Sequence, residues 1–497
     1  MQGRHTEKAA SGIEGLDDIL SGGFSRGSLF LVEGSPGAGK TTLALSYLLE
    51  GARARESCLY ITLSETKGEL LAGAASHGWT VGPSIEVFEL QPPDSVLDPK
   101  QTQSLLYSAD LELGETVKMV FGAADRAKPS RIVIDSLSEI RLLAQNSLRY
   151  RRQLLAMKHY FARSAATVLA LDDLTADAND KTAHSIAHGV LRLEELTPDY
   201  GAERRRLRVM KYRGQVFRGG FHDFAIKTGG LQVYPRLVSS EHKKGRSVRV
   251  VSSGNPEMDH LLGGGLESGS STLILGPAGS GKSLLVFQFI AAACSRGEKA
   301  ALFAFDEELG LLFRRSKAMG IDLEELAKQG SLRVEQIDTA ELSPGEFAHW
   351  VRREVEKNAA STVAIDSLNG YQQAMPQENY LILHMHELLQ FLNRQGVSTF
   401  LTVAQHGLVG DMKTPVDVTY LADSVILLRF FEAEARVRRA VSVIKKRTGP
   451  HEDTIREFRI SNRGLSLGGP LTGFHGVLRG VPTYRGSGEP LLRDERS

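Results

Sequence analysis

Gly34-Ser35-Pro36-Gly37-Ala38-Gly39-Lys40-Thr41-Thr42 decides how the chain is read. It fits G-x-x-x-x-G-K-[ST], a glycine-rich loop whose backbone N–H groups and following helix surround phosphates. Leu29-Phe30-Leu31-Val32 before it reads as a buried strand, and Leu43 to Leu49 after it as a helix. The device recurs at Gly276-Pro277-Ala278-Gly279-Ser280-Gly281-Lys282-Ser283-Leu284, behind the apolar run Thr272 to Leu275. Two matches in equivalent settings point to a bound nucleotide, ATP, at each. Lys40 and Lys282 are expected to reach its β- and γ-phosphates, and Thr41 and Ser283 to ligate Mg2+.

The two loops belong to a larger repeat. With Gly34 laid upon Gly276, Ser11-Gly12 falls on Ser253-Gly254, Asp17 on Asp259, Gly22-Gly23 on Gly264-Gly265 and Glu65 on Glu307. A period of that length is a duplicated domain, not a solenoid repeat. In each half apolar strand patterns alternate with helical ones. The strands read as Cys58 to Leu63, Arg131 to Ser136 and Ala166 to Leu171, then Ala300 to Phe305, Thr362 to Ser367 and Val397 to Val403. Arg149 to Arg163 and Asn379 to Gln395 read as helices. The fold class is therefore α/β, with two tandem domains, each a mostly parallel sheet flanked by helices. Each half closes with strands of mixed apolar and basic character, Val190 to Leu193 and Arg206 to Met210, then Val425 to Leu428 and Ala440 to Ile444. The expected division is 1–238, a polar linker 239–248, 249–464, and a C-terminal segment and flexible tail 465–497.

Composition narrows the partners. Lys and Arg number 60 against 59 Asp and Glu, so no global charge draws the chain to nucleic acid or an acidic membrane. Two cysteines, Cys58 and Cys294, make no disulfide framework. The polar stretch Met1 to Ala10 lacks the apolar core of a signal peptide, and no apolar run is long enough for a membrane span. The expected location is cytoplasmic.

Asp135 and Asp366 each end an apolar strand, at the sheet edge where such folds bind ligands, and can hold Mg2+ beside the P-loop. Just past the second strand stand Ser64-Glu65 in one half and Asp306-Glu307 in the other. Glu65, Asp306 and Glu307 are the candidate catalytic carboxylates, able to orient or deprotonate an attacking water or hydroxyl. Lys211-Tyr212-Arg213 and Lys445-Lys446-Arg447 follow the late strands at matching places. Lys211, Arg213, Lys445 and Arg447 could act in trans on a neighbour's γ-phosphate. Arg204-Arg205-Arg206 reads as surface charge, and His384-Met385-His386, with its histidines facing apart on a helix, as no metal site.

With these residues in view the chain resembles the KaiC family of RecA-like clock ATPases. The resemblance runs over nearly the full length. It includes both P-loops, the Ile-Asp-Ser stretches at Asp135 and Asp366, the K-x-R endings, Gly219 to Phe224, and Glu452 to Ser461. It implies tandem RecA-like domains, a homohexamer with ATP between neighbouring subunits, a first ring that is mainly an ATPase, and a second that is an autokinase. It also implies order through about Pro482. A KaiB-like partner is suggested by family alone. The family's two adjacent acceptor hydroxyls fall on Thr419 and Tyr420, the second a phenol of longer reach. Where the family carries Glu-Glu, this chain has Ser64-Glu65 and Asp306-Glu307. Ser64 cannot act as a carboxylate base. Asp306 is one methylene shorter, and about 1 Å of misplacement costs roughly 10²-fold in rate. Weakened phosphoryl transfer is the expectation. Two other readings compete: a DNA-dependent RecA or RadA-type recombinase, and a nucleotide-gated hexameric scaffold with little turnover.

Overall fold

The computed structural model describes residues 7–90, 105–174, 181–197, 201–238, 248–305, 307–374, 378–405, 419–479 and 483–484. The chain divides into two units between Arg236 and Leu237. The linker expected at 239–248 lies, but for Val248, outside the described residues, as does most of the segment beyond Arg479.

The first unit is built on a nine-stranded sheet. Its order is Gly230–Tyr234, His222–Lys227, Arg204–Tyr212, Gly189–Leu196, Leu29–Glu33, Thr167–Asp172, Arg131–Asp135, Cys58–Thr62 and Ile85–Glu89. From Gly189–Leu196 to Ile85–Glu89 the neighbours run parallel, and the other strands add antiparallel hairpins. The second unit repeats the plan with Gly464–Pro470, Arg456–Ser461, Arg436–Lys446, Ser424–Ala433, Ser271–Gly276, Ser398–Ala404, Ala360–Asp366, Lys299–Ala304 and Leu332–Gln336. These are two RecA-like α/β domains, and the P-loop strand is central in both.

Strand side chains alternate between two apolar layers, as a sheet covered on both faces requires. Phe30 and Val32 enter one core of the first unit, and Leu29 and Leu31 the other. In the second unit Ile274 and Leu273 divide in the same manner. The helices Ser147–Arg163 and Glu378–Gln395 occupy the stretches that their periodicity indicates. Gly464–Pro470 differs from expectation. Its glycines and proline hide the pattern, but Leu465 and Leu467 alternate with exposed Ser466 and make an edge strand against Arg456–Ser461.

One ion pair ties the amino end of the first sheet to its surroundings. Arg131, fully buried, donates to Glu56 (2.8 Å) and to the carbonyls of Ala10 (2.6 Å) and Tyr47 (2.9 Å). Gly51 makes room, since a Cβ there would lie 2.5 Å from Arg131 Cδ. Burial alone would raise the Glu56 carboxyl. The hydrogen bonds and charges of Arg26 and Arg131 outweigh it and hold the group at about 2. A carboxylate depressed by folding stabilises above its unfolded pKa, and the contribution is lost as pH falls through the folded value. Glu56→Gln should therefore unfold at lower urea than the parent near neutral pH. The gap should narrow as pH drops from about 5 toward about 3. A constant gap across that window in equilibrium denaturation would contradict the assignment.

Candidate functional site

Each P-loop lies between the end of the central strand and the helix that follows, Lys40–Arg53 or Lys282–Ser295. The residue before the lysine must be glycine. Gly39 and Gly281 have φ of 95° and 106°, in the left-handed region. A Cβ on Gly39 would come within 2.8 Å of Ile226 Cδ1, and one on Gly281 within 2.8 Å of Ile460 Cδ1. The strands His222–Lys227 and Arg456–Ser461 thus press an isoleucine onto each loop, which gives these late motifs a structural purpose.

The lysines fold back over the loops. Lys40 donates to the carbonyls of Gly34 and Ser35, both at 2.9 Å, and pairs with Asp173 at 2.8 Å. Lys282 donates to the carbonyls of Gly276 (3.0 Å) and Pro277 (2.9 Å). Burial pulls the Lys282 amine below its ordinary pKa, against the opposing charge of Asp366.

The structure brings Thr41 and Asp135 together. Asp135 Oδ2 accepts from Thr41 Oγ1 at 3.3 Å and from the Tyr60 hydroxyl at 2.5 Å. Burial raises the Asp135 carboxyl, only partly offset by Tyr60. Asp366 Oδ1 instead accepts from Thr402 Oγ1 at 2.5 Å, so the second half supports its aspartate from the neighbouring strand on the opposite side. Ser283 follows Lys282 in the first turn of its helix. In both halves the peptide bond after the aspartate is cis. Hydroxyl and carboxylate oxygens converging at a P-loop are a donor set suited to a hard divalent cation.

Glu65 stands in a tight turn, where its N–H donates to Thr62 Oγ1 (3.0 Å) and its carbonyl accepts from the same hydroxyl (2.6 Å). Partial burial raises its carboxyl, helped by the charges of Asp135, Glu69 and Asp173. Glu307 is paired with Arg315 at 2.5 Å, yet burial still raises it. The repeat places Gly73 opposite Arg315, so this pairing has no counterpart in the first half. Asp306 lies outside the described residues. The next positions, Thr66 and Glu308, are N-caps of the following helices.

The late basic residues bind backbone of their own chain. Lys211 donates to the carbonyls of His184 (2.5 Å) and Ala187 (2.8 Å), and Lys445 to those of Thr419 (2.9 Å) and Ala422 (2.7 Å). Arg213 reaches the Ser185 carbonyl (2.6 Å), and Arg447 that of Tyr420 (3.1 Å). In each hairpin a bulge follows the residue opposite the lysine, between Val190 and Leu191 or Val425 and Ile426. Thr419 thus takes the place of His184 in the repeat.

Other basic residues are neutralised. Arg206 pairs with Glu194 (2.8 Å) and stacks 3.9 Å from the Phe221 ring centroid, and Arg205 pairs with Glu203 (2.7 Å). His384 shares a hydrogen bond with Tyr371 (2.5 Å), while Met385 is core. Among the described residues no acidic, histidine and cysteine cluster forms a metal site, and no helix is long and apolar enough to cross a membrane.

Sequence reasoning missed Glu33, Asp172 and Asp173. Buried Glu33 pairs with His184 and Arg192, both at 2.7 Å, and Asp172 with Arg141 at 2.5 Å. The signal was present, since Asp172-Asp173 ends an apolar strand just as Asp135 does.

A family model described as "ATPase: KaiC" matches residues 9–238 and again 251–471. The chain belongs to the KaiC ATPase family. Among relatives, it is 28% identical over 492 residues to the circadian clock oscillator protein KaiC of Parathermosynechococcus lividus, covering 97% of this chain and 89% of that one. It is 26% identical over 493 residues to the circadian clock protein KaiC3 of Synechocystis sp., covering 97% and 96%. The family relationship implies nucleotide binding.

The cramped glycine yields a direct expectation. Gly39→Ala should destabilise the first unit by about 1–3 kcal/mol, from left-handed strain plus the Ile226 clash. Adding Ile226→Ala should restore only the steric share. Urea unfolding read by Trp79 fluorescence in a Trp350→Phe background would report it, since these are the two tryptophans. An unchanged midpoint in Gly39→Ala would count against the loop geometry.

Proposed function

We propose that the protein hydrolyses ATP with Mg2+, assembles with copies of itself into nucleotide-dependent hexameric rings, and phosphorylates its own second domain on Thr419. The observation that carries this reading is the clamp on the acceptor segment. Lys445 and Arg447 hold the backbone at Thr419, Tyr420 and Ala422, beside the strand next to the P-loop strand. A hydroxyl on a backbone fixed in this way is presented at one place, which is what in-line transfer requires.

The loops Gly34–Thr42 and Gly276–Leu284 would bind the phosphates, with Thr41 and Asp135, or Ser283 and Asp366, holding the cation. Bound Mg2+ would neutralise charge on the β- and γ-phosphates. In transfer, the Thr419 hydroxyl oxygen of one copy attacks the γ-phosphorus held by its neighbour. The bond to the β-bridging oxygen breaks, ADP leaves, and the hydroxyl proton passes to Glu307 or Asp306. Glu307 carries a raised carboxyl and is steered by Arg315, while Tyr420 offers a second hydroxyl alongside. In the first domain Glu65 would orient water without a second carboxylate at Ser64. That favours the first loop as the ring-holding site and the second as the phosphoryl-transfer site. Lys211, Arg213, Lys445 and Arg447 would then serve twice, as clamps within the chain and as cations facing the neighbour's phosphate.

Incubation with ATP and Mg2+ followed by intact-mass analysis and site mapping tests this. A single phosphate on Thr419 is expected, abolished by Lys282→Ala and retained in protein bearing Lys40→Ala if it still assembles. Thr419 phosphorylation that survives Lys282→Ala would overturn the autokinase. Arg315→Ala should slow the transfer by roughly tenfold or more by releasing Glu307. Nucleotide affinity, read by titration calorimetry, should stay near that of the parent.

A further inference from the structure

An ammonium has three protons to donate. In the first P-loop all three have acceptors: the Gly34 carbonyl, the Ser35 carbonyl and Asp173. In the second, the hydrogen bonds of Lys282 among the described residues are to the Gly276 and Pro277 carbonyls. Sheet register explains the difference. Glu33 pairs with Asp172, and Leu275 with Val403, so the position after each is Asp173 in one half and Ala404 in the other. Everything else that anchors the lysine is duplicated, and among the described residues the carboxylate is not.

Resting on the reading that this loop binds nucleotide, we propose that Asp173 sets the phosphate preference of the first site. It occupies the Lys40 amine until a nucleotide displaces it, and it disfavours a triphosphate relative to a diphosphate. Phosphate must replace Asp173 as acceptor of the Lys40 N–H, and the released carboxylate stays at the loop. ATP brings about one more negative charge than ADP into that neighbourhood, so the repulsion falls mainly on ATP. The surroundings intensify it. Asp173 is close enough to Asp135 and Glu65 for its charge to help raise both carboxyls. The Lys40 side chain is only 6% exposed, so water screens the exchange poorly. The consequence is a first site that responds to the ratio of ATP to ADP, while the second, with Ala404, favours ATP outright.

The test is calorimetric titration of full-length protein with ATP and with ADP, in Mg2+. With the second loop disabled by Lys282→Ala, Asp173→Asn should tighten ATP by roughly tenfold or more and ADP by several-fold less. The reverse graft, Ala404→Asp with the first loop disabled by Lys40→Ala, should weaken ATP more than ADP. The graft also decides the matter should Asp173→Asn fail to fold. Equal shifts for the two nucleotides, or none while both still bind, would overturn the role of Asp173. Absence of binding in every protein, including the unmutated chain, would instead sink the nucleotide-site reading on which it rests.

Discussion

A lysine buried at the mouth of a glycine loop must find oxygen acceptors, and here it takes them from the loop itself. Lys40 and Lys282 each fold back onto the two carbonyls that open their own P-loops. That fold-back demands a left-handed glycine just before the lysine and close packing over it. The packing comes from Ile226 and Ile460, on antiparallel strands far along the sheet from the central one. The shape of each P-loop therefore depends on strands well away from the central one, and the late hairpins are part of its packing.

On this shared backbone the two halves carry different electrostatics. The first places Glu33, Asp172 and Asp173 at the carboxyl edge, where the second has Leu275, Val403 and Ala404. Such carboxylates are costly to bury unless paired, and each has a cation: Arg192, Arg141 and Lys40. The second half spends its charge differently. Arg315 steers Glu307, and Thr402 supports Asp366 where Tyr60 supports Asp135. One chain thus holds two P-loops of the same shape in different electrostatic fields.

Much of this is legible in the sequence. The P-loops are contiguous, and their glycines and lysines are required by geometry within a few residues. The strands announced themselves as apolar runs, and Asp135 and Asp366 by ending them. Gly464–Pro470 was not legible, because an edge strand needs few apolar residues and tolerates glycine and proline. Nor was the clamp of Lys445 on the Thr419 backbone, which spans a bulged hairpin and turns on where the bulge falls.

By itself the sequence determined the duplicated α/β plan, the two phosphate loops, the aspartates beside them and the KaiC relationship. Those follow from local pattern, which neighbouring residues encode. Only the tertiary structure decided which carboxylate meets which cation. Lys40 and Asp173 lie on adjacent elements but far apart in the chain, and a slip of one residue in strand register would turn Asp173 to the other face. Register is a property of the folded sheet, and that is why the charge partners of the first P-loop appear only there.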